Sequence, residues 1–287
     1  MLRFELPTDR IEYLQLALPS SGPALVVRWG TQTSPFTVAA WDDIGSDPSW
    51  KLTERNQNLS PDGQWVSVFD QDAGKVRVTR VGDKSPTAVV NRSKKAENVW
   101  TGVAPGGTAV AWKDDTTTLV RALPGGKEIA RVKSGWGVDF RFSPGGRWLS
   151  ETGLQVFRVF DRSNNYKVFA RIKTPDHALA DVSDAMTAVV TAKGKGVVEV
   201  WDLSSKTPAA VLKVGGWVSA LAVSPDGRRV LTGTTNGDVT LWDATGAKLK
   251  EFAWEVKMPI AAVFAPDGTR AAIGGVDTQI VVWDLDD

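Results

Sequence analysis

The residues of this chain that are suited to acid–base, nucleophilic or metal chemistry do not form a recognisable constellation in the sequence. The 287 residues include one histidine, His177, and no cysteine, which excludes thiol catalysis, thiolate metal sites and disulfides. The densest acidic pairs are Asp42-Asp43, Asp114-Asp115 and Asp286-Asp287. Neighbouring residues of an extended chain point to opposite sides, so these pairs do not form natural metal clamps. A lone histidine in a connecting segment is usually just solvated, and we expect no catalytic site, no metal site and no bound cofactor.

Charge and hydropathy limit the partners. The chain has 34 basic and 33 acidic residues, a formal charge of +1, whereas non-specific nucleic-acid binding needs a basic face. No window approaches the apolar length of a membrane span, and the first residues, MLRFELPTDR, lack the apolar core of a signal peptide. We therefore expect a cytoplasmic monomer that binds neither nucleic acid nor membrane.

The elements that position the remaining side chains can be read from one stretch, Leu221 to Asp243. Val230, Thr232 and Thr234 alternate with the residues between them, which is the period of extended chain. A Pro-Asp-Gly turn precedes this run and Asn236-Gly237 follows it. Asn-Gly is the dipeptide that best tolerates the positive φ angles of a two-residue hairpin turn. The stretch predicts three antiparallel strands.

The same unit recurs along the whole sequence. Four copies keep a Trp-Asp pair, and the last four positions of this landmark are 41 residues apart. The position of the Pro-Asp-Gly turn and the position of the Trp-Asp pair recur with the same period, which indicates seven copies. The turn landmark falls at Pro19, Pro61, Pro105, Pro144, Asp184, Pro225 and Pro266, and the tryptophan landmark at Trp41, Thr79, Ala122, Phe160, Trp201, Trp242 and Trp283.

The Trp-Asp pairs with Ser-Pro-Asp-Gly upstream resemble the WD-repeat family. That family folds as a β-propeller with four strands per blade around a central channel. The resemblance therefore implies an all-β, seven-bladed propeller that forms one domain over residues 1–287. The family's Gly-His before the first strand is missing from every copy, so its His–Ser–Asp–Trp hydrogen-bond network cannot form in full.

The two ends of the chain are predicted to share the last blade. Leu2 to Leu6 fall in the register of a fourth strand, where Lys248 to Phe252 fall in the sixth copy. The seventh copy stops four residues after Trp283 and lacks a fourth strand of its own. An open ring would expose unpaired strand edges, and we expect the N-terminal strand to close it.

Polar residues cluster on the first strands, which line the channel of a propeller. The aligned positions are small or apolar in blades six and seven but polar in blades two, four and five. A charged side chain on such a strand must be paired with an opposite charge or hydrated. Either Arg141 forms an inter-blade ion pair with Asp181 or Asp139, or the set is a polar niche that grips a ligand or a peptide end. The set comprises Asn56, Asn58, Asp139, Arg141 and Asp181.

Tryptophans form the second notable set. The chain has 13, of which four occupy the Trp-Asp position. Trp136 and Trp217 stand just ahead of a first strand, and Trp50 and Trp254 are placed a few residues earlier in the equivalent connection. WD-repeat propellers commonly bind partners on the rim where these connections emerge, and exposed tryptophan is a typical interface anchor. Alternatively, the indoles fold back over the gaps between blades.

The sequence therefore predicts a non-catalytic scaffold or sensory propeller that binds another protein or peptide on one rim. Binding of a small molecule or peptide end in the channel around Arg141 is the alternative, and an enzyme is a third. The partner and the pathway are not encoded in any motif of the chain.

Overall fold

The structure, a computed structural model, describes residues 1–8, 11–21, 24–31, 36–43, 46–54, 57–91, 101–114, 117–133, 137–176, 178–191 and 196–285. These residues form β-strands joined by turns, with two short 3-10 turns at Pro105–Gly107 and Arg162–Asn164. No helix in these ranges has the length and apolar character needed to cross a membrane.

The strands group into blades in chain order. Blade one contains β2 (Tyr13–Ala17), β3 (Leu25–Gly30), β4 (Phe36–Trp41) and β5 (Trp50–Glu54). Blade two contains β6 (Gln57–Leu59), β7 (Trp65–Asp70), β8 (Lys75–Arg80) and β9 (Ala88–Asn91). Blade three contains β10 (Thr101–Val103), β11 (Ala109–Asp114), β12 (Thr117–Ala122) and β13 (Glu128–Lys133). Blade four contains β14 (Gly137–Phe142), β15 (Trp148–Gly153), β16 (Val156–Asp161) and β17 (Lys167–Lys173).

The remaining strands complete the ring. Blade five contains β18 (Ala180–Val182), β19 (Thr187–Thr191), β20 (Val197–Asp202) and β21 (Thr207–Lys213). Blade six contains β22 (Val218–Val223), β23 (Arg229–Thr234), β24 (Val239–Asp243) and β25 (Lys248–Phe252). Blade seven contains β26 (Pro259–Phe264), β27 (Arg270–Gly275), β28 (Gln279–Asp284) and β1 (Leu2–Glu5). The predicted all-β, seven-bladed propeller with four antiparallel strands per blade is confirmed.

The N-terminal strand closes the last blade as predicted. β1 pairs antiparallel with β28, and Leu2 lies opposite Val282 while Glu5 lies opposite Gln279. Phe4 packs against Trp41 of blade one at 5.4 Å between ring centroids. Leu6 is 2% exposed, so the segment contributes packing as well as backbone hydrogen bonds.

The hydrophobic core lies between neighbouring blades. Seven clusters of buried side chains are present in the described residues, and each combines residues of two adjacent blades. One of them joins blade seven to blade one through Leu25 and Ile280, among others. Every blade therefore depends on both neighbours for burial of its two faces.

The Ser-Pro-Asp-Gly turn is built from local hydrogen bonds. In blade six the Ser224 hydroxyl donates to Asp226 at 2.5 Å, and the Arg229 amide donates to the Ser224 oxygen at 2.9 Å. Gly227 has φ of 70°, and a Cβ there would lie 2.3 Å from Thr187 Oγ1 of blade five. Glycine is required at this position by both backbone conformation and space.

Two blades that lack the turn aspartate receive one from a neighbour. In blade four, Ser143 Oγ donates to Asp184 of blade five at 2.5 Å, and the Gly145 amide donates to the same carboxylate at 2.6 Å. In blade three, the Gly106 amide donates to Asp62 of blade two at 2.8 Å. The loss of the Pro-Gly turn in blade five thus places a carboxylate where blade four needs one.

The turn between β23 and β24 differs from the sequence prediction. Of its residues only Gly237 has positive φ, 96°, whereas a two-residue turn of the predicted kind would also need positive φ at Asn236. The Gly237 amide donates to the Thr234 carbonyl, and the Thr234 amide donates to the Asp238 carbonyl. This is a three-residue turn closed by a bulge. The Thr234 hydroxyl anchors it by donating to Asp238 at 2.9 Å.

Removal of residues 1–7 should open the ring. We expect a lower melting temperature and concentration-dependent oligomers, because β28 becomes an unpaired edge and the cluster around Leu6 is exposed. Thermal melts and light scattering measure both effects. A synthetic peptide of residues 1–8 added in trans should restore the melting temperature. A truncated chain that stays monomeric and melts with the full chain would contradict the shared blade.

Candidate interaction rim and channel

Strand direction separates the two rims of the ring. In each antiparallel blade the first strand begins, and the second and fourth strands end, at the same rim, which we call the upper rim. Trp217 immediately precedes β22 and therefore lies at the upper rim. Its side chain is 58% exposed, and its carbonyl accepts the Thr235 amide at 2.8 Å. The position predicted from the repeat register thus presents a solvent-exposed indole.

Trp254 lies in an equivalent connection, but its side chain is buried. It is 9% exposed, stacks on Phe252 with ring centroids 4.0 Å apart, and packs against Trp283 at 4.3 Å. Its environment is the cluster between blades six and seven. For this residue the packing interpretation holds, and the expectation that Trp254 is an exposed anchor is wrong, because its indole covers the gap between two blades.

Trp50 lies at the lower rim, and the sequence prediction that puts it at the same rim as Trp217 is wrong. It is the first residue of β5, and fourth strands begin at the lower rim. Its Nε1 donates to the Asp83 carbonyl of blade two at 3.1 Å. The error arises because the turn between β4 and β5 spans residues 42–49, while the corresponding turn of blade six spans only 244–247. Trp136, the fourth predicted rim residue, lies outside the described residues.

Sequence reasoning missed three other apolar side chains of the upper rim. Tyr13 begins β2, Leu154 follows β15, and Met258 precedes β26, and all three are exposed. Met258 stands at the register that identified Trp217, one repeat later, whereas Tyr13 is a residue of the first strand itself. Trp217 is therefore one of several apolar groups at this rim.

The inner edges of the first strands explain much of the predicted polar niche. Each first strand pairs only with the second strand of its blade, so its other edge has backbone groups without a ladder partner. Gln15 bonds both the amide and the carbonyl of Leu59, at 3.2 and 2.9 Å. Asn58 donates to the Thr101 carbonyl, and Asp181 accepts the Val223 amide at 3.0 Å. These side chains connect consecutive blades.

The ion pair of Arg141 lies within a single strand. Arg141 Nε donates to Asp139 Oδ2 at 2.9 Å, and both residues belong to β14. Asp139, one of the two predicted partners, therefore forms the ion pair, but the pair is not inter-blade as expected, since residues two apart in a strand share a face. Asp181 interacts with Arg141 electrostatically without forming an ion pair at contact distance. Asn56, the remaining member of the predicted niche, lies outside the described residues.

The charges around the channel shift one another's pKa values. Asp139 raises the pKa of Arg141 above its usual value, against the opposing effect of burial. Burial raises the pKa of Asp181, while the Val223 amide and Arg141 oppose this increase. The Arg141 side chain is 49% exposed and lines the channel cavity.

Arg28 is a charged residue of this region that the sequence did not reveal. It lies on β3 and stacks over Phe36, with its Cζ 3.9 Å from the ring centroid. Burial lowers its pKa to about 10, with Arg141 adding to the decrease and Asp139 opposing it. The sequence pattern does not indicate Arg28, because it lies on a second strand, whereas the first strands line the channel.

A second charged cluster is structural. Glu151 is fully buried, and its Oε1 lies 2.8 Å from Lys113 Nζ and 3.5 Å from Arg158 Nη1. It joins blade three to blade four, and none of the three residues lines the channel cavity. Among the residues that the structure describes, no group of three or more His, Cys, Asp or Glu is arranged to hold a metal ion.

Replacement of Trp254 and of Trp217 by alanine should have different effects on the stability of the fold. Trp254→Ala removes a buried indole and is expected to lower the free energy of unfolding by about 3–5 kcal/mol. Trp217→Ala changes an exposed side chain and is expected to alter it by less than about 0.5 kcal/mol. Denaturant unfolding of both variants gives the comparison. Equal losses would show that Trp217 packs like Trp254.

The raised pKa of Asp181 predicts a pH-dependent stability. Between the unfolded value of 3.8 and the higher folded value, the folded state retains a proton that the unfolded state has lost. Ionisation of Asp181 therefore opposes folding as the pH rises through this range. Asp181→Asn should raise the melting temperature at neutral pH, and the gain should vanish below pH 3.8.

Asp202→Asn provides a control of opposite sign for this pH series. The Ser204 hydroxyl lowers the pKa of the exposed Asp202, so the loss of that carboxylate should slightly reduce stability at neutral pH. Thermal melts from acidic to neutral pH measure both variants. An Asp181→Asn protein that is less stable than the parent at neutral pH would show that the charged form is favoured in the fold.

Two comparisons with known proteins complement this geometry. Residues 207–243 match the family model described as WD domain, G-beta repeat. This range covers the fourth strand of blade five and the first three strands of blade six, which contain the regular Trp242-Asp243 repeat. A search of curated proteins found no significant match. One repeat of this chain is therefore similar in sequence to the WD repeat, and the seven four-stranded blades form a β-propeller.

Proposed function

We propose that this protein is a non-catalytic interaction module that binds a partner protein or peptide on its upper rim, with Trp217 as an anchor. WD-repeat propellers generally act as scaffolds for protein–protein interaction, and typically without catalysis. The observation that carries the proposal is the exposure of the Trp217 indole at this rim. Full burial of a large apolar side chain contributes roughly 1.5–3 kcal/mol, which a partner gains by covering it.

The backbone holds Trp217 in place before any partner arrives. Gly215 has φ of 86°, and the Thr235 amide bonds the Trp217 carbonyl at 2.8 Å. The hydrogen bond ties the segment before β22 to the hairpin between β23 and β24. An anchor on a fixed backbone loses little conformational freedom on binding, and this pre-organisation favours affinity.

A recess at the same rim gives the partner a chemical character. A cavity of about 590 Å³ lies between the β23–β24 hairpin and the segment after β25. Asp238, Glu251 and Glu255 line it together with one basic residue, Lys257. An acidic recess near an apolar anchor suits a segment that carries both basic and apolar side chains.

A displayed random-peptide library provides a defined probe. Peptides selected on the intact propeller should bind Trp217→Ala at least about 30-fold more weakly, the loss typical of a central interface anchor. Val211→Ala is the matched control, because Val211 is an exposed apolar residue on the outer strand β21. The affinities are measured by calorimetry with the selected peptides.

The composition of the selected peptides tests the charge argument. Enrichment of Lys or Arg beside an aromatic or aliphatic residue is expected, and Glu251→Gln should weaken those peptides. A library that yields no binder, or binders that tolerate Trp217→Ala as well as Val211→Ala, would contradict the proposed rim.

A further inference from the structure

The central channel contains a cavity of about 240 Å³. First strands of all seven blades contribute to its wall, which exposes polar and apolar surface in nearly equal measure. Its charged and hydroxyl groups come from blades four, five and six: Asp139, Arg141, Thr152, Asp181 and Ser219. A concave site that combines apolar surface with a few polar groups is a common form of ligand site in proteins.

Arg141 has unused hydrogen-bonding capacity in this cavity. Its Nε donates to Asp139 at 2.9 Å, and the described residues provide no hydrogen bond to either Nη atom. The Asp139 bond fixes the orientation of the guanidinium. The two Nη groups can therefore form the end-on, two-point contact that a guanidinium makes with a carboxylate.

Arg28 adds a second positive charge with no ion-pair partner. Its Nε is buried without a hydrogen-bond acceptor, and no carboxylate of the described ranges lies within ion-pair distance of it. With a pKa of about 10, it stays protonated at neutral pH. Arg28 does not line the cavity, but it is close enough for the Arg141 charge to affect it. Arg28 is half-buried, and Asp139 acts on it without forming an ion pair, so a further anion nearby would stabilise its charge.

Ser219 provides a second donor in the channel. It lines the cavity, and its hydroxyl is buried without a partner among the described residues. Asp139 accepts from Arg141, and Asp181 accepts from the Val223 amide. An acceptor with negative charge would pair with the Arg141 Nη groups and the Ser219 hydroxyl together.

Size and charge restrict this acceptor. The cavity is smaller than the roughly 300–1,000 Å³ of sites for drug-sized ligands. Asp139 and Asp181 would repel a phosphate dianion more strongly than a singly charged carboxylate. A carboxylate on a short apolar tail matches both the guanidinium and the apolar part of the wall.

We propose that the channel binds a carboxylate group, with Arg141 as the main contact, Ser219 as a second donor and Arg28 as electrostatic support. The carboxylate belongs either to a small organic acid or to the C-terminus of a peptide, since both present the same chemistry. The site is separate from the Trp217 anchor, and neither proposal requires the other.

Ligand-observed NMR and calorimetry with defined probes test this site. Butyrate represents a free acid, and N-acetyl-alanyl-alanine represents a peptide end. We expect at least one of them to bind, and its amide counterpart to bind about tenfold more weakly or not at all. If only butyrate binds, the ligand is a small organic acid. If only the dipeptide binds, the ligand is the C-terminus of a peptide. Inorganic phosphate should not compete.

Variants separate the contact from general effects on the fold. Arg141→Gln should reduce binding about tenfold or more, Arg141→Lys should restore only part of it, and Ser219→Ala should weaken it by a smaller factor. Arg171→Gln, an exposed arginine on the outer strand β17, is the charge-matched control and should bind normally. Trp217→Ala should also bind normally, so failure of the rim proposal leaves this one intact.

Several results would overturn the proposal. These are the absence of binding by both carboxylates, equal binding of acid and amide, displacement by phosphate, or unchanged affinity in an Arg141→Gln protein. Melting temperatures of all variants are measured in parallel. If Arg141→Gln does not fold, the comparison of acid with amide on the parent protein and the Ser219→Ala variant decide the outcome.

Discussion

The ring depends on the pairing of β1 with β28. Each blade buries its two faces against its two neighbours, so the core exists only as seven inter-blade clusters. An open ring would leave the cluster between blades seven and one without half of its members and expose β28 as an edge. Leu6 and Phe4, which lie beside this pairing, reach into the same cluster. Backbone hydrogen bonding and hydrophobic burial are therefore satisfied together at the point of closure.

A propeller has a second set of edges, on the inner side of the first strands, that closure does not remove. Gln15, Asn58 and Asp181 use their side chains to bond backbone groups of the next blade. At the turns, Asp62 and Asp184 likewise accept hydrogen bonds from backbone amides of neighbouring blades. Polar residues of the channel are thus mostly part of the structure. Arg141 differs because its ion pair stays within one strand and leaves donors free.

Tryptophan has two opposite environments at one rim. After β25, Trp254 covers the gap between blades six and seven on top of Phe252. Before β22, Gly215 has positive φ and Trp217 remains in solvent. The side chain is the same, and the residues packed around it decide its environment. This contrast is the physical basis for treating Trp217 as an interaction anchor and Trp254 as packing.

The strands, the seven copies and the closing role of residues 2–6 could be predicted from the sequence. These features follow from local period, turn residues and repeat spacing, all of which are written along the chain. Tertiary structure decided the rim of Trp50, because an eight-residue turn displaced its strand, and the burial of Trp254, because burial depends on what lies opposite. It also brought Arg28 near Arg141, since residues from blades one and four meet only across a closed ring. Local patterns specify the direction and pairing of strands, whereas contacts between blades depend on three-dimensional distance that no spacing in the sequence encodes.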